Sequence, residues 1–153
     1  MNVLVVYFST SGKTETMAGY IAEGVRFSGN QATIKKISEI REPAGELSAC
    51  DGILIGSPTF SQDAPHPVRD FLAAGKDSLA GKLAGTFGPY HHDIGYRHDT
   101  HAPDVIISYL ENDMKVKPFS LGPFHLQADT VETHEGMKAC QDYGRVFGEQ
   151  LGH

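Results

Sequence analysis

Two short runs in this chain have no polar face. Asn2 to Phe8 (NVLVVYF) and Gly52 to Gly56 (GILIG) are almost continuously apolar, and the first is rich in β-branched residues. A strand with one wet face alternates apolar and polar residues. A strand that is apolar throughout must be covered on both sides, which is the situation of an inner strand of a parallel sheet. Between the two runs the period changes. Met17, Ile21 and Val25 recur at i, i+4 and i+8 in a helical pattern that begins at Thr14 and stops near Ser28-Gly29-Asn30.

The remainder repeats this alternation. Ala32 to Ile37 predicts a second, shorter strand, and a polar connection with Pro43 and Gly45 leads to the third strand at Gly52 to Gly56. Ser57 to Pro65 reads as a loop. Val68, Phe71 and Leu72 form the apolar face of the next helix, with Pro67 near its first turn. Lys82 to Gly88 predicts the fourth strand and Pro89 to His101 a long polar loop. Pro103 to Glu111 predicts a helix with Ile106, Tyr109 and Leu110 on one face, and Met114 to Leu121 the fifth strand. Met137, Cys140, Gly144, Phe147 and Leu151 stripe a final helix.

No internal repeat and no linker interrupts the 153 residues, so residues 1–153 are expected to form one domain. The expected architecture is α/β: a doubly wound, five-stranded parallel sheet with helices on both faces. In such sheets ligands bind beyond the carboxyl ends of the strands, where strand order reverses. That rule selects the loops after the first, third and fourth strands.

Bulk properties exclude several classes. Thirteen basic against nineteen acidic residues give a net charge of −6, which argues against a nucleic-acid footprint. No apolar run approaches the roughly 18 residues of a membrane span, and the N-terminus lacks a basic stretch followed by a cleavage site. Cys50 and Cys140 form no CxxC pair and sit among apolar neighbours, as buried structural thiols do. Cytoplasm is the default expectation.

The first selected loop is Ser9-Thr10-Ser11-Gly12-Lys13-Thr14. It offers four hydroxyls, one permissive glycine and the N-terminus of a helix, whose outward N–H groups and dipole favour an anion. Such a loop satisfies a phosphate dianion; the alternative is a Ser/Thr-rich helix cap with no ligand. The end of the loop also matches part of a nucleotide-binding P-loop, but that motif requires glycine five residues before Gly12, where Tyr7 stands. No Gly-x-Ser-x-Gly elbow is present, and the first strand ends without the acidic residues of a phosphate-accepting receiver domain.

Ser9 to Glu15 resembles the phosphate signature of the flavodoxin family, Thr/Ser-x-Thr/Ser-Gly-x-Thr. The resemblance runs along the whole chain in length and element order and is closest to the short-chain class, with no long insertion in the fifth strand. It implies strand order 2-1-3-4-5 and flavin mononucleotide (FMN) as cofactor, its phosphate on Ser9, Thr10, Ser11, Gly12, Lys13 and Thr14. Lys13 departs from the pattern, since many flavodoxins carry Asn there. It would add charge at the phosphate or face solvent.

The loop Gly56-Ser57-Pro58-Thr59-Phe60-Ser61-Gln62-Asp63 resembles the flavin-ring loop, in a version close to that of flavodiiron proteins. Pro58, Thr59, Phe60 and Ser61 are thereby implied around the ring. Phe60 would stack on it where many flavodoxins use Trp, or else pack beneath its own loop. Ser61 stands where Gly is common. A peptide flip toward the reduced ring then costs more than in a Gly loop. Gly88-Pro89-Tyr90 resembles the third loop, with Tyr90 as candidate outer stacking residue and Tyr96 as its competitor. His91, His92, Asp93, His98, Asp99 and His101 extend this loop. They read as a solvated or docking segment, as a source of pH dependence, or as a metal site.

The resemblance implies a carrier of one or two electrons with no acid–base catalytic residue. It implies a reductase and an acceptor as redox partners, docked through an acidic surface around the flavin edge. Two alternatives share the fold: an FMN-dependent NAD(P)H:quinone reductase, and a flavin-free binding module.

Overall fold

The computed structural model describes residues 1–8, 12–57, 66–90, 106–108, 112 and 115–152. Its elements alternate as expected: β1 (Asn2–Tyr7), α1 (Lys13–Phe27), β2 (Gln31–Lys36), α2 (Pro43–Ala49), β3 (Gly52–Gly56), α3 (His66–Ala74), β4 (Leu83–Tyr90), β5 (Lys117–Pro118), β6 (Phe124–Gln127) and α4 (His134–Leu151). Residues 106–108 are helical. All pairings are parallel, in the order β2-β1-β3-β4-β5, with β6 also on β4.

The continuous apolar runs occupy the middle of this sheet because each face is covered. Val3, Val5 and Tyr7 of β1 and Leu54 of β3 pack with Met17 and Ile21 of α1 and Cys140, Tyr143 and Phe147 of α4. Leu4 and Val6, with Ile53 and Ile55, pack on the other face with Leu47, Val68, Phe71, Leu72 and Ile106. Each side chain so buried contributes about 1.5–3 kcal/mol of hydrophobic free energy, which is what removes a one-sided sheet from contention. Both cysteines are free and buried. Burial pushes the Cys140 thiol up to about 12 and raises that of Cys50 as well.

The fifth line of the sheet differs from the expectation of one strand over Met114 to Leu121. It is broken into β5, beside Leu83 and Ala84, and β6, beside Phe87 to Tyr90. β5 ends at Pro118, with the Lys117 and Phe119 N–H groups on either side bonded to the Lys82 and Ala84 carbonyls of the neighbouring strand. After it, Phe119 turns into the core edge-on to Tyr143 and Phe147, and Gly122 N–H closes a turn on the Phe119 carbonyl. Phe124 then stacks on Tyr143, whose hydroxyl donates to the Gly122 carbonyl at 2.9 Å and lies 3.2 Å from that of Thr86. The gap in the strand is therefore filled by aromatic packing.

Two further differences are local. The connection containing Pro43 is helix α2, with Pro43 in its first turn, where the missing N–H costs nothing. Lys82 Nζ binds the Leu47 and Ser48 carbonyls at its end. β4 also runs two residues beyond Gly88, taking Pro89 and Tyr90 out of the expected loop. Ser57 N–H binds the Phe87 carbonyl, so the backbone of Pro89, two residues on, faces the side where β3 has already ended.

Helices α1 and α4 approach until their backbones touch. A Cβ on Gly144 would meet the Ile21 carbonyl, and one on Gly24 would meet the Gln141 carbonyl. Gly144→Ala is expected to lower stability by about 1–3 kcal/mol through overpacking. The readout is a lower urea midpoint at unchanged slope; a midpoint equal to the parent's would contradict the contact.

Candidate functional site

Three strand ends meet at one edge of the sheet. Tyr7, Gly56, Phe87 and Phe124 lie side by side in register across β1, β3, β4 and β6. One residue further on, Phe8 N–H donates to the Gly56 carbonyl at 3.0 Å and Ser57 N–H to the Phe87 carbonyl at 3.1 Å. Tyr90 ends β4 beside Gln127 of β6. The connections after β1, β3 and β4 thus leave from a common edge. β2 lies to one side of β1 and β3 to the other, so the crossover direction reverses there.

The first of these connections ends at Gly12, the N-cap of α1. Gly12 has φ 85° and ψ −12°, the left-handed region that costs any residue with a Cβ free energy. It brings no side-chain acceptor to the first-turn amides of α1, in contrast to α4, where Thr133 Oγ1 accepts from Gly136 N–H. The Gly12 carbonyl accepts from the Thr16 amide and the Thr16 hydroxyl, both at 3.0 Å.

Thr14 is buried with 1% of its surface exposed, a rare condition for a hydroxyl residue. Its methyl group packs against Gly56, whose missing Cβ leaves the room that Phe87 fills. The residue that ends the phosphate-like motif is thereby locked to the sheet edge. Lys13 forms an ion pair with Glu132, Nζ to Oε1 at 3.3 Å. Glu132 lies in the connection between β6 and α4, so this contact links two strand ends that the motif alone does not relate. Glu15 accepts a hydrogen bond from the Tyr7 hydroxyl at 3.0 Å.

Of the residues singled out from sequence, Gly12, Lys13, Thr14 and Gly88 lie at this edge, together with the backbone of Tyr90. Ser9, Thr10, Ser11, Pro58, Thr59, Phe60, Ser61 and Tyr96 lie outside the described residues, as do His91, His92, His98 and His101. Among the described residues no group of three or more His, Cys, Asp or Glu side chains is placed to hold a metal. Sequence reasoning missed Tyr7 and Glu132. Tyr7 was hidden in an apolar run, and Glu132 stands far along the chain with no local pattern.

A cleft of about 360 Å³ opens between Cys50, Asp51, Lys82, Leu83, Lys117 and Gln150. It sits at the amino ends of β3, β4 and β5, opposite the edge that such sheets use for ligands. Its chief cation, Lys82, is engaged by the end of α2.

The Tyr7 hydroxyl ionises at about 12 instead of 10.0, because burial and then the Glu15 hydrogen bond disfavour the phenolate. Burial raises Tyr143 in the same way. Between those two values the unfolded chain releases a proton that the folded protein keeps. The stabilisation is full below about pH 10 and is lost as pH rises toward 12. Unfolding free energy measured across this range should fall with pH, and less steeply in Tyr7→Phe. An identical slope in the variant would contradict the assignment.

Residues 4–94 match the family model of the flavodoxin domain. A diflavin flavoprotein of Nostoc sp. is 30% identical over 154 residues, covering 99% of this chain. The chain spans 25% of that relative's length, and 24% of two similar diflavin proteins of Synechocystis. An NAD(P)H dehydrogenase (quinone) of Gluconacetobacter diazotrophicus is 30% identical over 185 residues, with 98% of this chain and 92% of the relative covered. Among solved structures, oxidised flavodoxin 2 of Bacillus cereus superposes with a TM-score of 0.79 at 26% identity, over 98% of this chain and 99% of that one. By its sheet order, its first loop and these matches, the chain belongs to the flavodoxin family.

Proposed function

We propose that this chain is an FMN-binding electron-transfer protein that works between redox partner proteins, as one domain over residues 1–153. The observation that carries the reading is the common edge of β1, β3 and β4, with α1 entered through left-handed Gly12 at the point of strand reversal. The donor chemistry fits a phosphate ester: a helix N-terminus without a side-chain acceptor from its N-cap, a cation at Lys13 and a locked threonine at position 14. Ser9, Thr10, Ser11, Gly12, Lys13 and Thr14 would hold the phosphate. Pro58, Thr59, Phe60, Ser61, Gly88, Tyr90 and Tyr96 would surround the ring. When bound, the flavin supplies reversible uptake of one or two electrons, and the protein supplies anchoring, orientation and electrostatics.

Charge at the same edge supports a carrier. Asp129, Glu132 and Glu135 are exposed just beyond the end of β6. Carboxylates there raise the cost of added negative charge nearby and steer partners with basic surfaces. We place the protein in the cytoplasm, the compartment that suits the free thiols Cys50 and Cys140; among the described residues no helix is long and apolar enough to cross a membrane. A reductase acting directly on NAD(P)H is the second reading, favoured by the nearly full-length match to a quinone dehydrogenase.

The purified protein is expected to be yellow, with flavin absorption bands and one FMN per chain; a colourless protein that takes up no added FMN would refute the reading. Thr14→Val keeps the methyl contact with Gly56 and removes the hydroxyl. It should weaken FMN binding about tenfold or more if that hydroxyl meets the dianion. Anaerobic mixing with NADPH separates the two activities. Bleaching only when a partner reductase is added supports the carrier, and bleaching without one supports the enzyme.

A further inference from the structure

The Lys13–Glu132 ion pair gives the phosphate-like loop a built-in competitor for Lys13, the cation at the start of α1. We propose that Glu132 is a positioning residue that restrains Lys13 and tunes how tightly, and how selectively, the loop holds a phosphate ester. The inference rests on the phosphate reading of residues 9–14. It explains the departure from the family pattern at Lys13, where the signature commonly has a neutral side chain.

Three observations carry it. First, the two groups come from separate strand ends: Lys13 opens α1, and Glu132 lies between β6 and α4. Second, Glu132 is held from both sides. Val131 before it is fully buried in the core shared by α1 and α4. Thr133 after it caps α4, accepting from Gly136 N–H at 3.1 Å while its hydroxyl donates to the Thr130 carbonyl at 2.6 Å. The carboxylate is thus presented from a fixed backbone. Third, the exposures are unequal. Lys13 is 28% exposed and Glu132 63%, so Lys13 is drawn in among neighbours while Glu132 stays mostly in water.

The electrostatic consequence follows from signs. A phosphate dianion at the start of α1 attracts Lys13 and is repelled by Glu132. Glu15, the carboxylate in the first turn of α1 itself, is engaged by the Tyr7 hydroxyl. Removing the Glu132 charge therefore frees Lys13 and removes a repulsion together. An exposed pair of this kind changes an equilibrium by about twofold to fivefold, not by orders of magnitude. Riboflavin, which has the same ring and sugar alcohol but no phosphate, should be indifferent to the change.

The test titrates the full-length apoprotein with FMN and with riboflavin, following quenching of flavin fluorescence, for the parent, Glu132→Gln, Lys13→Met and the double variant. Glu132→Gln is expected to bind FMN about twofold to fivefold more tightly with riboflavin unchanged, and the gain should shrink in high salt. Lys13→Met is expected to bind FMN more weakly, and Glu132→Gln should recover part of that loss in the double variant. FMN affinity unchanged or weaker in Glu132→Gln would overturn the inference. So would an equal shift for both ligands, since that reports a structural effect and not charge. A parent that takes up no FMN overturns the functional reading as well, so the two failures are distinguishable.

Discussion

Burial of β1 and β3 on both faces is the constraint from which the rest follows. Val5, Val6, Ile53, Leu54 and Ile55 are completely removed from solvent, some against α1 and α4 and some against α2, α3 and residues 106–107. Two helical layers are needed to cover them, and each layer needs crossovers between parallel strands. Once β1 lies between β2 and β3, the chain must reverse direction at β1, and a crevice at the carboxyl edge is a geometric consequence.

Electrostatics at that edge are set by what surrounds the start of α1. The helix begins at a glycine that offers no side-chain acceptor, so the N-terminal field is not spent on the N-cap residue. Among the described residues Glu15 and Glu132 reach the same neighbourhood, and each has a partner: Glu15 has Tyr7, and Glu132 has Lys13. Tyr7 belongs to β1 and Glu132 to the far side of β6. The charge at the start of α1 is thus tied to the sheet that carries it.

The broken fifth line shows how packing overrides a local pattern. Met114 to Leu121 contains enough apolar residues for a strand, yet pairing stops once the Phe119 N–H has met the Ala84 carbonyl, and the Phe119 ring packs edge-on against Tyr143 and Phe147. The chain resumes at Phe124, beside the upper half of β4. This detour determines where the 128–133 segment emerges, and hence that Glu132 meets Lys13.

Period and composition alone determined the alternation of strands and helices, the inner positions of β1 and β3 and the phosphate-like loop. These rest on local regularities: apolar runs, spacings of three and four, hydroxyls beside glycine. The Pro43 helix was legible in principle from proline at a first turn but was masked by its polar neighbours. Only the tertiary structure decided the split of the fifth strand, the locking of Thr14 onto Gly56, the Tyr7–Glu15 hydrogen bond and the Lys13–Glu132 pair. Strand register and helix packing bring together residues as distant as 13 and 132, and no periodicity within either segment encodes that meeting.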